Sequence, residues 1–189
     1  MNVVRAKVVW KIMFVNKLWS LFLKYLCLDT GLDGAILYCE KSEPIDALRF
    51  KREGRGLFLP PIVEFIKERK PDKIYMEGIL VKPGQSSKAL ATQWLVYGQC
   101  QTIAQLFCDE VEVVPAIRWT SFTKRLSSNP SQPSKVCMQE IAERFFGEWA
   151  NDYRLRKFRG HRKIHDGIAD CLGLHCYVER DRFVDLILP

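Results

Sequence analysis

The chain has 189 residues, 48% hydrophobic and 27% charged, which suits one globular domain with at most a small appendage. Lys and Arg number 29 against 22 Asp and Glu, and the net charge of +7 favours a polyanionic partner, either nucleic acid or an acidic membrane surface. The seven cysteines (Cys27, Cys39, Cys100, Cys108, Cys137, Cys171 and Cys176) are odd in number and contain no Cys-x-x-Cys, which argues against a disulfide framework or a zinc knuckle and for small buried thiols in a reducing compartment.

Residues 1–22 form a basic and apolar extension without a single acid. Lys11 and Lys17 interrupt its apolar clusters, so no run of ~20 apolar residues spans a bilayer. An uninterrupted apolar core and a small-residue cleavage site, the marks of a signal peptide, are missing. The segment reads as an extra helix, or as the product of a start codon placed ahead of Met13 or a later one. A basic amphipathic segment resting on a membrane is the alternative.

From Leu23 the pattern alternates. Leu23–Asp29 is apolar and too short for a helix, Asp33-Gly34 is a turn signal, and Ala35–Glu40 returns as the second strand of a hairpin. Ile45–Phe50 is a third strand. Leu57–Arg69 places Leu57, Ile62, Phe65 and Ile66 at helical spacing and ends before Pro71-Asp72. Lys73–Glu77 is the next strand. Ser86 or Ser87 caps a long helix to about Phe107. Val111–Val114 is a short β-branched strand and Trp119–Leu126 a short helix. Residues 127–134, rich in Ser and Pro, make a linker-like loop, after which Ser134 caps a helix to about Phe146. A basic tract over 154–163 precedes the last helix, His165–Glu179. This order predicts an α/β fold, a mixed sheet with helices on both faces.

Four acids stand out. Asp29 and Glu77 each end an apolar strand and are followed within two residues by a glycine, which puts them at the C-terminal edge of a sheet, where ligands gather in open α/β folds. If their strands are parallel neighbours, ~4.8 Å apart, the two carboxylates can share one ion. Asp166 and Asp170 lie four apart and share a helix face with apolar neighbours. Like charges so close raise each other's pKa, and a hard divalent cation relieves them; two such ions can activate a water and stabilise a leaving oxygen in phosphodiester cleavage. Taken singly, each acid also suits a solvated strand end or an exposed helix face. His175-Cys176 beside Cys171 lacks a fourth metal ligand and reads as packing.

The stretch Leu28-Asp29-Thr30-Gly31-Leu32-Asp33-Gly34-Ala35-Ile36, the strand end Met76-Glu77-Gly78 and the helix His165-Asp166-Gly167-Ile168-Ala169-Asp170-Cys171-Leu172 together resemble the RuvC-like Holliday junction resolvases. The likeness is to the short phage and bacterial branch of that family, within the ribonuclease H-like superfamily. The segment from Lys82-Pro83-Gly84-Gln85-Ser86-Ser87-Lys88 to Tyr97-Gly98-Gln99 resembles the loop and helix after the family's glutamate, so the match runs from about Leu23 to Val178. The resemblance implies a five-stranded mixed ribonuclease H-like sheet and a metal-dependent endodeoxyribonuclease (crossover junction type). It implies a homodimer that nicks a four-way DNA junction symmetrically with Mg²⁺ or Mn²⁺, two ions per site. It carries the metal-binding and catalytic roles to Asp29, Glu77 and Asp170. Some members place the fourth ligand three residues before the last aspartate; here that position is Gly167, and Asp166 is the substitute. His165 is a candidate to assist a metal-bound water, or is an ordinary helix-start histidine.

The basic tract (Arg154, Arg156, Lys157, Arg159, His161, Arg162, Lys163) stands immediately before the catalytic helix and suits phosphates, or else is a solvated charge run. Lys82, Lys88, Lys124 and Lys135 are further phosphate candidates, and the loop with Gln85 and Ser86 is a candidate junction probe. Trp94 and Trp119 suit base stacking or, more simply, the core. The organisation expected is an extension over 1–22, a nuclease domain over 23–180 and a tail over 181–189. Its expected setting is cytoplasmic, nucleoid-associated or phage-encoded, with no membrane partner. Asp29-Thr30-Gly31 is also the triplet of aspartic proteases, a reading that leaves Glu77, Asp166 and the basic charge unexplained, and actin-like or sugar-kinase folds need a longer chain. The serious alternatives are another ribonuclease H-like nuclease, transposase-type or RNA-cleaving, and a non-catalytic junction-binding module.

Overall fold

The computed structural model describes residues 23–81, 83–156 and 162–184. The 1–22 extension, Lys82, Lys157, Arg159 and His161 lie outside these residues. The elements are β1 (Lys24–Leu28), β2 (Ala35–Glu40), β3 (Glu43–Arg49), β4 (Arg52–Glu53), β5 (Gly56–Leu57), α1 (Pro60–Arg69), β6 (Lys73–Gly78), α2 (Ser87–Phe107), β7 (Val111–Pro115), α3 (Ala116–Leu126), α4 (Ser134–Ala150), β8 (Arg154–Arg156), β9 (Arg162–Ile164), α5 (Asp166–Val178) and α6 (Arg180–Phe183).

Five strands form one sheet in the order β3-β2-β1-β6-β7. β1, β2 and β3 are antiparallel neighbours, whereas β6 runs parallel to β1 and β7 parallel to β6. The central strand β1 is buried on both sides, and its alternation divides the core. Tyr25 and Cys27 face a layer with Trp119, Met138, Ile168 and Leu172 from α3, α4 and α5. Leu26 and Leu28 face a second layer with Ile66 of α1 and Val96 of α2. The expected mixed α/β sheet, covered on both faces, is thus the one observed.

Several expected bounds are corrected. Leu57 does not open a helix: it sits in a two-stranded hairpin, β4–β5, turned at Gly54 with φ +59°. Its N–H donates to Gln99 Oε1 at 3.0 Å, and the helix begins at Pro60, whose missing N–H is harmless in a first turn. Ser86 does cap α2, accepting from the Ala89 N–H at 3.3 Å, but Ser134 is the first residue of α4 and makes no capping bond. α4 passes Phe146, kinking there (φ −132°, ψ 15°), and ends at Ala150. The basic tract is not featureless, because β8 and β9 pair antiparallel within it. Outside the expected domain bounds, Phe183 packs with Phe122, Leu126, Ile141 and Cys176.

All seven cysteines are buried and free. His175 Nδ1 lies 2.8 Å from the Tyr25 hydroxyl within the core, which accords with a packing role for His175-Cys176. Among the described residues no helix is long and apolar enough to cross a membrane.

Candidate active site

The parallel pairing of β1 with β6 fixes the first contact of the site. Leu28 stands opposite Met76, so the next residues, Asp29 and Glu77, emerge side by side at the C-terminal edge of the sheet. The turn after β1 is closed by its own groups: the Gly31 N–H donates to Asp29 Oδ1 at 2.9 Å, the Asp29 N–H to the Ala35 carbonyl at 3.0 Å, and the Gly34 N–H to the Gly31 carbonyl at 3.0 Å. The Thr30 hydroxyl donates to the Glu77 carbonyl at 3.3 Å and ties this turn to β6.

α5 brings the third carboxylate. Its first turn lies so close to the turn after β1 that a Cβ on Gly167 would stand 2.6 Å from the Asp33 carbonyl oxygen and 2.8 Å from Gly34 Cα. One turn further on, Asp170 faces Asp29 and Glu77 across the sheet edge. The Cys171 thiol donates to the Ala35 carbonyl at 3.2 Å and fixes the helix on β2.

Burial and mutual repulsion raise these carboxyls. Asp29 is 8% exposed, and its burial outweighs its hydrogen bonds from Glu77 and Gly31 and the charge of Lys135, so its pKa is raised. Burial, then the negative charge of Asp29, push Glu77 up to about 10. Burial and Asp29 push Asp170 up to about 8. Among the described residues no three His, Cys, Asp or Glu side chains stand in a metal-ligand arrangement.

Asp166 belongs to a different environment. Burial works against its ionisation, but the hydrogen bond and charge of Lys163, followed by Lys135, overcome this and lower its pKa. Lys163 Nζ pairs with Oδ1, Lys135 Nζ lies 3.5 Å from Oδ2, and Gln139 Nε2 donates to Oδ1 at 3.2 Å. Asp166 therefore stands at the rim, 37% exposed, while the other three stand inside.

No family model matches the chain, and no curated protein matches it either. Solved structures do match. That of Thermus thermophilus RuvC superposes with a TM-score of 0.51 over 85% of this chain and 97% of that one, at 9% identity. The fold is ribonuclease H-like.

On this ribonuclease H-like frame the other expected residues fall out unevenly. His165 begins α5, is buried, and leaves Nδ1 without a partner; burial, then the charge of Arg49, lower its pKa. Arg154 forks onto both Glu143 oxygens of α4. Arg156 and Arg162 hold facing positions in the β8–β9 ladder. Gln85 donates to Gln93 at 2.9 Å, and Lys88 is exposed in the first turn of α2. Lys124 lies in the last turn of α3. Trp119 is 3% exposed and belongs to the core, whereas Trp94 is 54% exposed, so core packing is wrong for Trp94. One site residue has no sequence signal of its own: Gln139 is a mid-helix glutamine that gains meaning only from its place four residues after Lys135. Trp119 is a stacking or core candidate by sequence, and its buried indole N–H lies close to Glu77.

Proposed function

We propose that the protein is a metal-dependent endodeoxyribonuclease that resolves four-way DNA junctions as a homodimer. The observation that supports this reading most is the trio Asp29, Glu77 and Asp170, placed at one sheet edge of a ribonuclease H-like fold in a chain of net charge +7. Three carboxyls raised first by burial, Glu77 and Asp170 also by the charge of Asp29, are relieved by either protons or a cation. Their all-oxygen donor set suits Mg²⁺ or Mn²⁺, and Asp29, Glu77 and Asp170 would hold it. When bound, such an ion supplies an activated water and charge for the leaving oxygen of a phosphodiester.

The protein's own groups do the remaining work. The Gly31 N–H fixes one oxygen of Asp29, and the Thr30 hydroxyl keeps the Asp29 turn against β6. Burial of the trio excludes water from its inner side, which strengthens every charge interaction there. Lys135 and Lys163 line the rim, and Lys163 belongs to β9, which pairs with β8. These cations bind phosphates and orient the backbone toward the carboxyls. Gln85, Ser86 and Lys88, at the start of α2, lie beyond the end of β6 and supply a second grip on the junction arms.

The test is a synthetic four-way junction with Mg²⁺ or Mn²⁺. The wild type nicks two opposed strands, and Glu77→Gln binds the junction without cutting it. Equal cutting of linear duplex instead identifies another ribonuclease H-like nuclease, and binding without nicking by the wild type identifies a junction-binding module.

A further inference from the structure

The fourth acid is set apart by what surrounds it. Asp166 sits at the N-terminus of α5, and three side chains from two other elements close on it: Lys135 and Gln139 from one face of α4, and Lys163 from β9. Gln139 also donates to the Ile164 carbonyl at 3.0 Å, so α4 grips both the end of β9 and the start of α5. Both carboxylate oxygens of Asp166 are thereby occupied by donors. The neighbouring position is closed to any ligand, because the Asp33-Gly34 backbone fills the space a Gly167 side chain would need.

We infer that Asp166 is a positioning residue, not a metal ligand: it holds Lys135 and Lys163 at the rim of the Asp29–Glu77–Asp170 site, where they meet the phosphate to be cut. Three features support this. Asp166 already has two cationic partners, so a metal ion would have to displace them. A carboxylate between two lysines removes the rotamer freedom of long side chains that would otherwise sample many positions. Finally, Lys163 is the middle residue of β9, so its bond to Asp166 anchors that strand beside the carboxyls.

The inference rests on the nuclease reading, and the experiment separates the two. Mn²⁺ binding is measured by calorimetry on the full chain, for the wild type and for Asp166→Asn, Asp170→Asn and Lys163→Met. Asp170→Asn weakens Mn²⁺ binding by about a hundredfold, consistent with loss of one of three charged ligands, while Asp166→Asn stays within about threefold of the wild type. On the junction, Asp166→Asn lowers kcat about tenfold at nearly unchanged KM, as expected for a lost positioning contact. Asp166→Glu recovers part of that loss. The double variant with Lys163→Met is no slower than the slower single variant, because both remove one unit. A loss of Mn²⁺ affinity in Asp166→Asn as large as in Asp170→Asn overturns the assignment of Asp166. Full additivity in the double variant overturns it as well. No Mn²⁺ binding by the wild type overturns the nuclease reading itself.

Discussion

Asp166 and Asp170 are four residues apart on one helix face, yet they live under opposite rules. Asp170 points inward to two other carboxyls and resists ionisation, with its pKa pushed up to about 8. Asp166 points outward to two lysines and a glutamine, and its pKa is lowered. A single helical turn thus separates a group short of positive charge from a group supplied with it. Under the proposed function, a divalent cation would go to the first, and contacts to the phosphate would be prepared by the second.

The sharpest way to break this contrast is to remove the inner group. Asp29→Asn or Asp170→Asn should lower junction cleavage by about a thousandfold or more, the scale expected when a charged ligand of a catalytic metal is lost. Single-turnover cleavage with saturating Mg²⁺ measures it. If either variant retains more than about a tenth of the wild-type rate, the trio is not the reacting centre.

Next in size is the effect on stability against pH, where the two regions should pull in opposite directions. Glu77 and Asp170 have folded pKa values raised above the ordinary carboxyl range, to about 10 and about 8. Their contribution is therefore full below about pH 4 and is lost as pH rises through about 8 and then about 10. For Asp166 the folded value is depressed, so its contribution is present above the ordinary carboxyl value and lost as pH falls through the folded one. Thermal melts in EDTA should show Tm falling from about pH 6 to about pH 10, with Glu77→Gln flattening that alkaline limb. Asp166→Asn should flatten only the acid limb. Mn²⁺ should raise Tm most at the alkaline end, since binding requires the deprotonated carboxyls. An alkaline limb unchanged in Glu77→Gln would mean that the inner carboxyls are not strained.

A smaller perturbation moves the two regions together. A Cβ at Gly167 meets backbone at 2.6 Å to 2.8 Å, so Gly167→Ala must push α5 away from the turn that carries Asp29. Overpacking of this kind costs about 1–3 kcal/mol, read as a lower urea midpoint. Because both aspartates of α5 shift as one, Mn²⁺ affinity and phosphate positioning should fall in the same variant, unlike in Asp166→Asn. A fully stable Gly167→Ala would mean that the turn can yield.

The inner trio was largely legible in the sequence, and the rim was not. Asp29 and Glu77 announce themselves because an apolar strand that stops at an acid and a glycine has few other placements, although only the parallel pairing of β6 with β1 puts the two side by side. Asp170 follows from the apolar face of its own helix. The partners of Asp166 do not follow: Lys135 is 31 residues away and Gln139 is 27, and only the packing of α4 on α5 brings them there. The same limit explains Leu57. It fits a helical period with Ile62 and Ile66, but two-residue strands are too short to show a period of their own, and the bond to Gln99 that anchors it spans 42 residues. Trp94 misleads for the opposite reason, since an apolar residue in a helix reads as core until the fold shows which face is covered.

The finest probe of the inner region is the indole of Trp119. Its ring is core, packed beneath α5, and its N–H is buried close to Glu77, where it favours the ionised form of that carboxyl. The N–H is therefore worth more as a donor to an ionised Glu77 than to a protonated one. Trp119→Phe keeps most of the apolar volume and deletes that donor. Mn²⁺ affinity should fall about fivefold, the worth of roughly one hydrogen bond, while the metal-free protein loses less than that through the N–H. Calorimetry and thermal melting of the same sample measure both. Equal losses of affinity and stability would show that Trp119 acts through packing alone. Loss of affinity by itself would show that the inner site is arranged for its ionised state.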